Sequence, residues 1–238
     1  KTGEQSILAS TVTFRAKALK PLPEKWHGLQ DVELRYRSRE LDILTNAETR
    51  YRLTVRSKLI SSMRRFLDDA GFLEVETPIL QPIPGGASAR PFITPHNALG
   101  TDFYLRIATE MYLKRLVVGG MEKIYEIGRC FRNEGIDYSH NAEFTMLELY
   151  EAFAKKDEYI SFIESLMRES IKGALGDTKV NINGSLVDFA VAFPRITFRE
   201  SILKSCGIDI DDLKTEEDVI TAVKSSNLSV DFKNCHGF

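Results

Sequence analysis

Apolar positions recur along the chain with two different periods. Between Glu48 and Ala70, Val55, Leu59, Met63, Phe66 and Leu67 return at the three-to-four-residue spacing of a helix with one core-facing stripe. Gly71 stands where a left-handed residue closes such a helix. A weaker helical run, about Asp31 to Leu44, precedes it. Further upstream, Val12, Phe14 and Ala16 alternate with polar neighbours within residues 4–16, the pattern of a single strand, and LKPLP (19–23) then breaks structure as a linker does.

Beyond Gly71 the period shortens to two. FLEVETP (72–78) alternates and stops on Pro78, and FYLRIA (103–108) reads as a strand feeding a helix that ends at Gly119 and Gly120. KIYEIGRCFR (123–132) and EFTMLELYEAF (143–153) predict two long strands joined by the polar loop NEGIDYSHNA. After Asp157, an expected N-cap, Ile160, Ile163, Leu166 and Met167 mark another helix. Asn183-Gly184 between VNI and SLVDF is a tight hairpin signal, and short helices follow near Phe198–Ser205 and Thr215–Ser225. Strands and helices in this order predict an α+β fold, a mostly antiparallel sheet flanked by helices. A length of 238 residues suits one large domain, or one domain with an appendage.

Composition narrows the function classes. With 43% apolar and 28% charged residues the chain has enough apolar surface to build a core, which excludes a disordered class. No apolar run approaches the roughly 18 residues of a membrane span, and the polar start KTGEQS does not read as a signal peptide. No membrane association is therefore expected, and the chain reads as cytoplasmic, or as an organelle protein seen without its leader. A net charge of -2 argues against gripping nucleic acid by basicity alone. The local run of Arg35, Arg37, Arg39, Arg50, Arg52, Arg56, Lys58, Arg64 and Arg65 is interleaved with acids and reads first as solvated helix faces, with an RNA-contacting patch as the alternative. Cys130, Cys206 and Cys235 lack metal-ligand spacing and read as reduced thiols.

Candidate chemistry concentrates on the long hairpin, which carries Arg129, Arg132, Glu134, His140, Asn141, Glu143, Phe144, Glu148 and Tyr150. Polar groups on paired strands can be aimed at one ligand with little conformational freedom, which phosphoryl chemistry requires. The same alternation of Arg and Glu could equally be cross-strand ion pairing.

The stretch YEIGRCFRNEGIDYSHNAEFTMLELY (125–150) resembles motif 2 of the class II aminoacyl-tRNA synthetases in its lysyl form. The helical region through GFLEVETPIL (71–80), ending at Pro78, is similar to motif 1, the dimer-forming element. PGGASARPFITPHNALGTDFYLRIATEMYLKRLVVGG (84–120) resembles the lysyl family's amino-acid-binding stretch, and LKPLPEKWHGLQDVELRYRSRELDIL (19–44) its hinge after an anticodon-binding OB domain.

The resemblance implies a terminal strand and linker of an OB-fold domain at 1–23. A partial catalytic domain would follow at 24–238, with a helical insertion at about 195–230. It implies activation of lysine by ATP and transfer to tRNA(Lys), with Mg2+ as cofactor and a homodimer as the working state. Arg132 would be the catalytic residue, holding the α-phosphate of ATP and the carboxylate of lysine. Glu134 would meet the adenine edge, His140 and Asn141 would lie by the nucleotide, and Phe144 would stack on the adenine. Gly86, Glu110 and Tyr150 would bind lysine, and Leu59, Met63, Phe66, Leu73 and Pro78 would line the dimer interface. Thr109 and Ala142 stand where the family has proline, and Pro95 where it has histidine. The magnesium ligands, the carboxylate that reads the lysine ammonium and motif 3 would fall beyond Phe238. The resemblance thus implies a fold incomplete at its C-terminus, no metal ligands in this chain and little activity from it alone. Two other readings fit the same residues: a ligase that lysylates a translation factor, and a non-catalytic dimerising fragment.

Overall fold

The computed structural model describes residues 6–23, 28–137 and 139–226. The chain forms two compact units, Lys1–Thr178 and Lys179–Phe238.

The first unit opens with residues 6–20 exposed and without hydrogen-bonded secondary structure. The strand expected from the alternation at 12–16 is not formed, because a strand needs a partner ladder and none lies beside it among the described residues. Residues 4 and 5 of that expected strand lie outside the described residues. The single helix expected from Asp31 to Leu44 is broken into α1 (Val32–Arg37) and α2 (Arg39–Thr45). Ser38, at φ -118 and ψ 60, makes the break.

The break has an electrostatic reason. It lets the fully buried Asp42 accept from Arg35 Nε at 2.9 Å, Arg39 Nη1 at 2.8 Å and Thr49 Oγ1 at 2.9 Å. Burial alone would raise the Asp42 pKa, but the bonds from Arg35 and Thr49 and the two guanidinium charges outweigh it and hold the carboxyl below its ordinary value. Elsewhere in the basic run, Arg37 pairs with Glu33, Arg52 with Glu48 and Arg64 with Glu74. Much of that run is thus committed to local pairs.

Helix α3 (Ala47–Asp69) ends as its sequence requires. Gly71 takes φ +82, its N–H donates to the Asp68 carbonyl at 3.0 Å, and the Phe72 N–H reaches back to the Leu67 carbonyl at 2.9 Å. This pair of bonds satisfies the last carbonyls and turns the chain, so that Phe72 packs on Leu67 in the core. The helix is therefore over before GFLEVETPIL, which contributes β1 (Leu73–Glu74) and β2 (Leu80–Gln81) instead.

Strand β1 pairs in parallel with β5 (Lys123–Phe131), and β5 pairs antiparallel with β6 (Glu143–Glu151) along its whole length, Lys123 opposite Glu151 and Phe131 opposite Glu143. A second sheet orders β2, β4 (Thr101–Leu105) and β3 (Ile93–His96), all antiparallel. Helix α4 (Glu110–Val118) packs on β5 and β6, and α5 (Lys156–Leu175) packs on α3. Helix α5 starts before Asp157; its N-cap is Lys155, and Asp157 lies in the first turn, where an acid suits the helix dipole.

The β5–β6 hairpin has two unlike faces. Tyr125, Ile127, Leu147 and Leu149 meet Leu67, Leu166 and Phe162 from the helices and Phe72 from the turn after α3, forming the core. Phe162 sits 5.3 Å from Phe72 and 5.4 Å from Phe66, ring centre to ring centre. Met63 and Phe66, expected at a dimer interface, pack against this core. Of the same expected set Leu59 is half-buried, while Leu73 (54% exposed) and Pro78 are open.

The second unit holds the hairpin β7 (Lys179–Ile182) and β8 (Ser185–Asp188), turned at Asn183-Gly184. Helices α6 (Phe198–Cys206) and α7 (Glu216–Ser225) follow, each opened by a threonine capping box at Thr197 and Thr215. Cys130 and Cys206 are free thiols, and Cys235 lies outside the described residues.

Gly71→Ala puts a Cβ on a left-handed residue and should lower stability by about 1–2 kcal/mol. Urea unfolding checks this; an unchanged midpoint would mean that the turn does not hold Phe72 in place.

Candidate functional site

Side chains at even positions of the hairpin, Glu126, Gly128 and Cys130 on β5 and Phe144, Met146, Glu148 and Tyr150 on β6, project to the face opposite the α3–α5 core. Arg132 follows directly, its N–H donating to the Ala142 carbonyl at 2.8 Å and so extending the ladder by one bond. Its guanidinium lies 5.1 Å from the centre of the Phe144 ring. Arg132 Nε is buried and finds no hydrogen-bond partner among the described residues. A charged donor in that condition wants an acceptor, and an anionic oxygen supplies one.

The loop before β3 closes on this end of the hairpin. Asn133 N–H donates to the Arg90 carbonyl at 2.7 Å, and Glu134 Oε1 accepts from the Arg90 N–H at 3.3 Å. Gly86, at φ +87, rests against the start of α4; a Cβ there would stand 3.0 Å from Glu110 Cβ and 3.1 Å from Ala108 Cβ. Its backbone is therefore held against Glu110 as no side-chain-bearing residue could be.

Glu148 joins this shelf to β6. Its Oε1 accepts from the Thr109 N–H at 3.3 Å and its Oε2 from the Tyr150 hydroxyl at 3.0 Å. Burial, then the charges of Glu148 and Glu110, push the Tyr150 hydroxyl well above the ordinary phenol range, so it stays neutral. Glu110 itself pairs with Lys114 at 2.5 Å, one helical turn on.

Arg132 and Phe144 thus form one cluster, and Gly86, Glu110 and Tyr150 a second, in which Glu148 ties Tyr150 to the start of α4. His140 and Asn141 are exposed in the loop, and His140 is engaged with Asp137 at 2.8 Å. Asp137 also accepts from Ser139 N–H, Ser139 Oγ and His140 N–H. The bond from the Ser139 N–H, followed by that from His140, holds its carboxyl far below the usual range.

The three departures from the family pattern fit locally. Thr109 supplies the N–H to Glu148 that proline lacks. Pro95 sits on β3, an edge strand, where a missing donor is tolerated. Ala142 contributes its carbonyl, which any residue has. A surface hollow of about 500 Å³ at the β3–β4 turn, lined by His96, Asn97 and Asp102 among others, contains none of the candidate residues.

The structure thus sets an antiparallel hairpin, backed by helices and with an arginine at its loop end, beside a glycine–glutamate shelf. The family model described as tRNA synthetases class II (D, K and N) matches residues 31–231, and the chain belongs to that family. Within it, the chain is 50% identical over 228 residues to the lysine–tRNA ligase of Clostridium perfringens (strain SM101 / Type A), covering 96% of this chain and 46% of that protein. It is 51% identical over 231 residues to the lysine–tRNA ligase of Pelotomaculum thermopropionicum, covering 97% and 46%. With that of Moorella thermoacetica it shares 51% identity over 229 residues, covering 96% and 47%. The chain spans about half the length of the curated relatives it matches.

Because the folded-state pKa of Asp137 is depressed, the turn it holds is fully formed above the ordinary aspartate value of about 4 and is lost only as pH falls through the lowered one. In an NMR titration the Ser139 and His140 amides should keep their bonded shifts through about pH 4 and move only below it. A midpoint at the ordinary carboxylate value would show that the turn does not form.

Proposed function

We propose that this chain forms part of a lysine–tRNA ligase, activating lysine with ATP to lysyl-adenylate for transfer to tRNA(Lys) in the cytoplasm. The observation that carries the reading is Arg132, whose buried Nε has no partner among the described residues and whose guanidinium lies over the Phe144 ring. A guanidinium fork suits a phosphate oxygen and a carboxylate oxygen together, and an aromatic face suits a purine.

Lysine would lie along the shelf. Its α-amino group replaces Lys114 at Glu110, and its carboxylate shares Arg132 with the α-phosphate. Tyr150, neutral and donating to Glu148, keeps a lone pair for the side-chain ammonium, and the Glu148 charge favours that cation. One carboxylate oxygen then attacks the α-phosphorus as the bond to pyrophosphate breaks, and Arg132 offsets the charge that develops on the phosphoryl oxygens. Glu134, tethered to Arg90, is in the loop that would cover the adenine edge, and exposed Asn141 and His140, the latter held by Asp137, would approach the nucleotide from that loop. No three His, Cys, Asp or Glu residues among those described are grouped to hold a cation, so no residue here is assigned to Mg2+. No described helix is long and apolar enough to cross a membrane.

Calorimetric titration with ATP tests the reading. Arg132→Lys keeps the charge but loses the fork and should weaken binding, and Phe144→Ala should cost roughly 1–3 kcal/mol of stacking. Unchanged affinity in both variants would mean that the hairpin is not the nucleotide site.

A homodimer is proposed through the segment from Leu73 to Pro78, whose end residues Leu73 and Pro78 are exposed while Met63 and Phe66 are taken up internally. Sedimentation velocity should show a dimer that Leu73→Arg dissociates; a monomer at high concentration before substitution would refute it.

A further inference from the structure

We infer that Arg106 is a positioning residue that sets Arg132 and the Gly86–Glu110 shelf in one geometry; this rests on the functional reading above. Arg106 follows β4 and is only 2% exposed, among the most deeply buried large side chains described. Its Nη1 lies 2.5 Å from Glu126 Oε1 and also donates to the Thr77 carbonyl at 3.0 Å and Thr77 Oγ1 at 3.2 Å. Its Nε donates to the Arg129 carbonyl at 2.7 Å. Thr77 Oγ1 in turn donates to Glu126 Oε2 at 2.6 Å, so both carboxylate oxygens are engaged.

The backbone of the same residue carries two more ties. Arg106 N–H donates to the Ile79 carbonyl, and its own carbonyl accepts from the Phe131 N–H, each at 2.9 Å. One residue therefore fastens the 77–79 segment, the start of the shelf and the last turns of β5. Phe131 directly precedes Arg132, and Ala108 and Glu110, on which Gly86 rests, lie two and four residues beyond Arg106. A Cβ at Gly128 would overlap the Arg106 guanidinium, so the strand is shaped to let that side chain cross it. Nothing in this network needs to touch a ligand. Its effect on chemistry is to fix the spacing between the phosphate-facing arginine and the amino-acid-facing shelf, which in-line attack demands.

The planar fork matters more than the charge. A lysine at 106 would still neutralise Glu126 but could not reach the Arg129 and Thr77 carbonyls together. Four proteins are compared: the unsubstituted chain, Arg106→Lys, the apolar pair Arg106→Met with Glu126→Leu, and Leu166→Ala, a core variant on the opposite face of the hairpin. Melting temperature, hydrogen exchange by mass spectrometry, and calorimetric affinities for ATP and for lysine are read on each.

Both Arg106 variants should exchange faster at once in 127–132 and in 106–112. Both should also lose about tenfold or more in affinity for ATP and for lysine. Leu166→Ala should melt lower while keeping both affinities. Affinity loss in Leu166→Ala matching that in the Arg106 variants would reduce Arg106 to a stabilising residue and overturn the inference. So would loosening of one segment alone, or full affinity in the Arg106 variants with binding intact in the unsubstituted chain. Absence of ATP and lysine binding in the unsubstituted chain would instead sink the functional reading, and the inference with it.

Discussion

Taking a guanidinium and a carboxylate out of water costs more than their mutual attraction returns unless the remaining donors and acceptors are also satisfied. Arg106 and Glu126 meet that condition with Thr77 and the Arg129 carbonyl as their further partners. The requirement shapes everything around the pair. The two sheets must approach closely enough for one side chain to span them, β5 must offer a glycine where that side chain passes, and the 77–79 segment must present its carbonyls inward. Only then do the end of β5 and the start of α4 stand side by side, and only then can residues far apart in sequence face one ligand.

Much of this architecture was legible from period and turn chemistry. The β5–β6 hairpin, the closure of α3 at Gly71 and the turn at Asn183-Gly184 rest on local rules that tertiary context did not overrule. The break at Ser38 was not legible, because its reason lies in Asp42 gathering Arg35, Arg39 and Thr49, partners that no helical period reveals. The strand expected within 4–16 is not formed over its described residues for the opposite reason: its pattern was right for a strand, but pattern does not supply a neighbour.

The candidate site divides in the same way. Arg132 with Phe144, and Gly86 with Glu110, were named from resemblance and are neighbours in space. Arg106 gave no signal, since an arginine in FYLRIA reads as the polar position of a strand, and only its near-total burial shows otherwise. Glu148 read as one of several alternating charges; its bridge from Thr109 to Tyr150 became visible when α4 was seen against β6.

The two-faced hairpin also bears on how such a chain can change over generations. Core residues and site candidates occupy alternate positions of the same two strands, so inserting or deleting a single residue within β5 or β6 would turn apolar residues outward and the candidates into the helices. Within the hairpin, only the connection between Arg132 and Ala142, whose ends are bonded to each other, can change length without exchanging the two faces. A change of length is therefore tolerable in that loop, away from Glu134, His140 and Asn141, while the strands on either side can drift only by substitution.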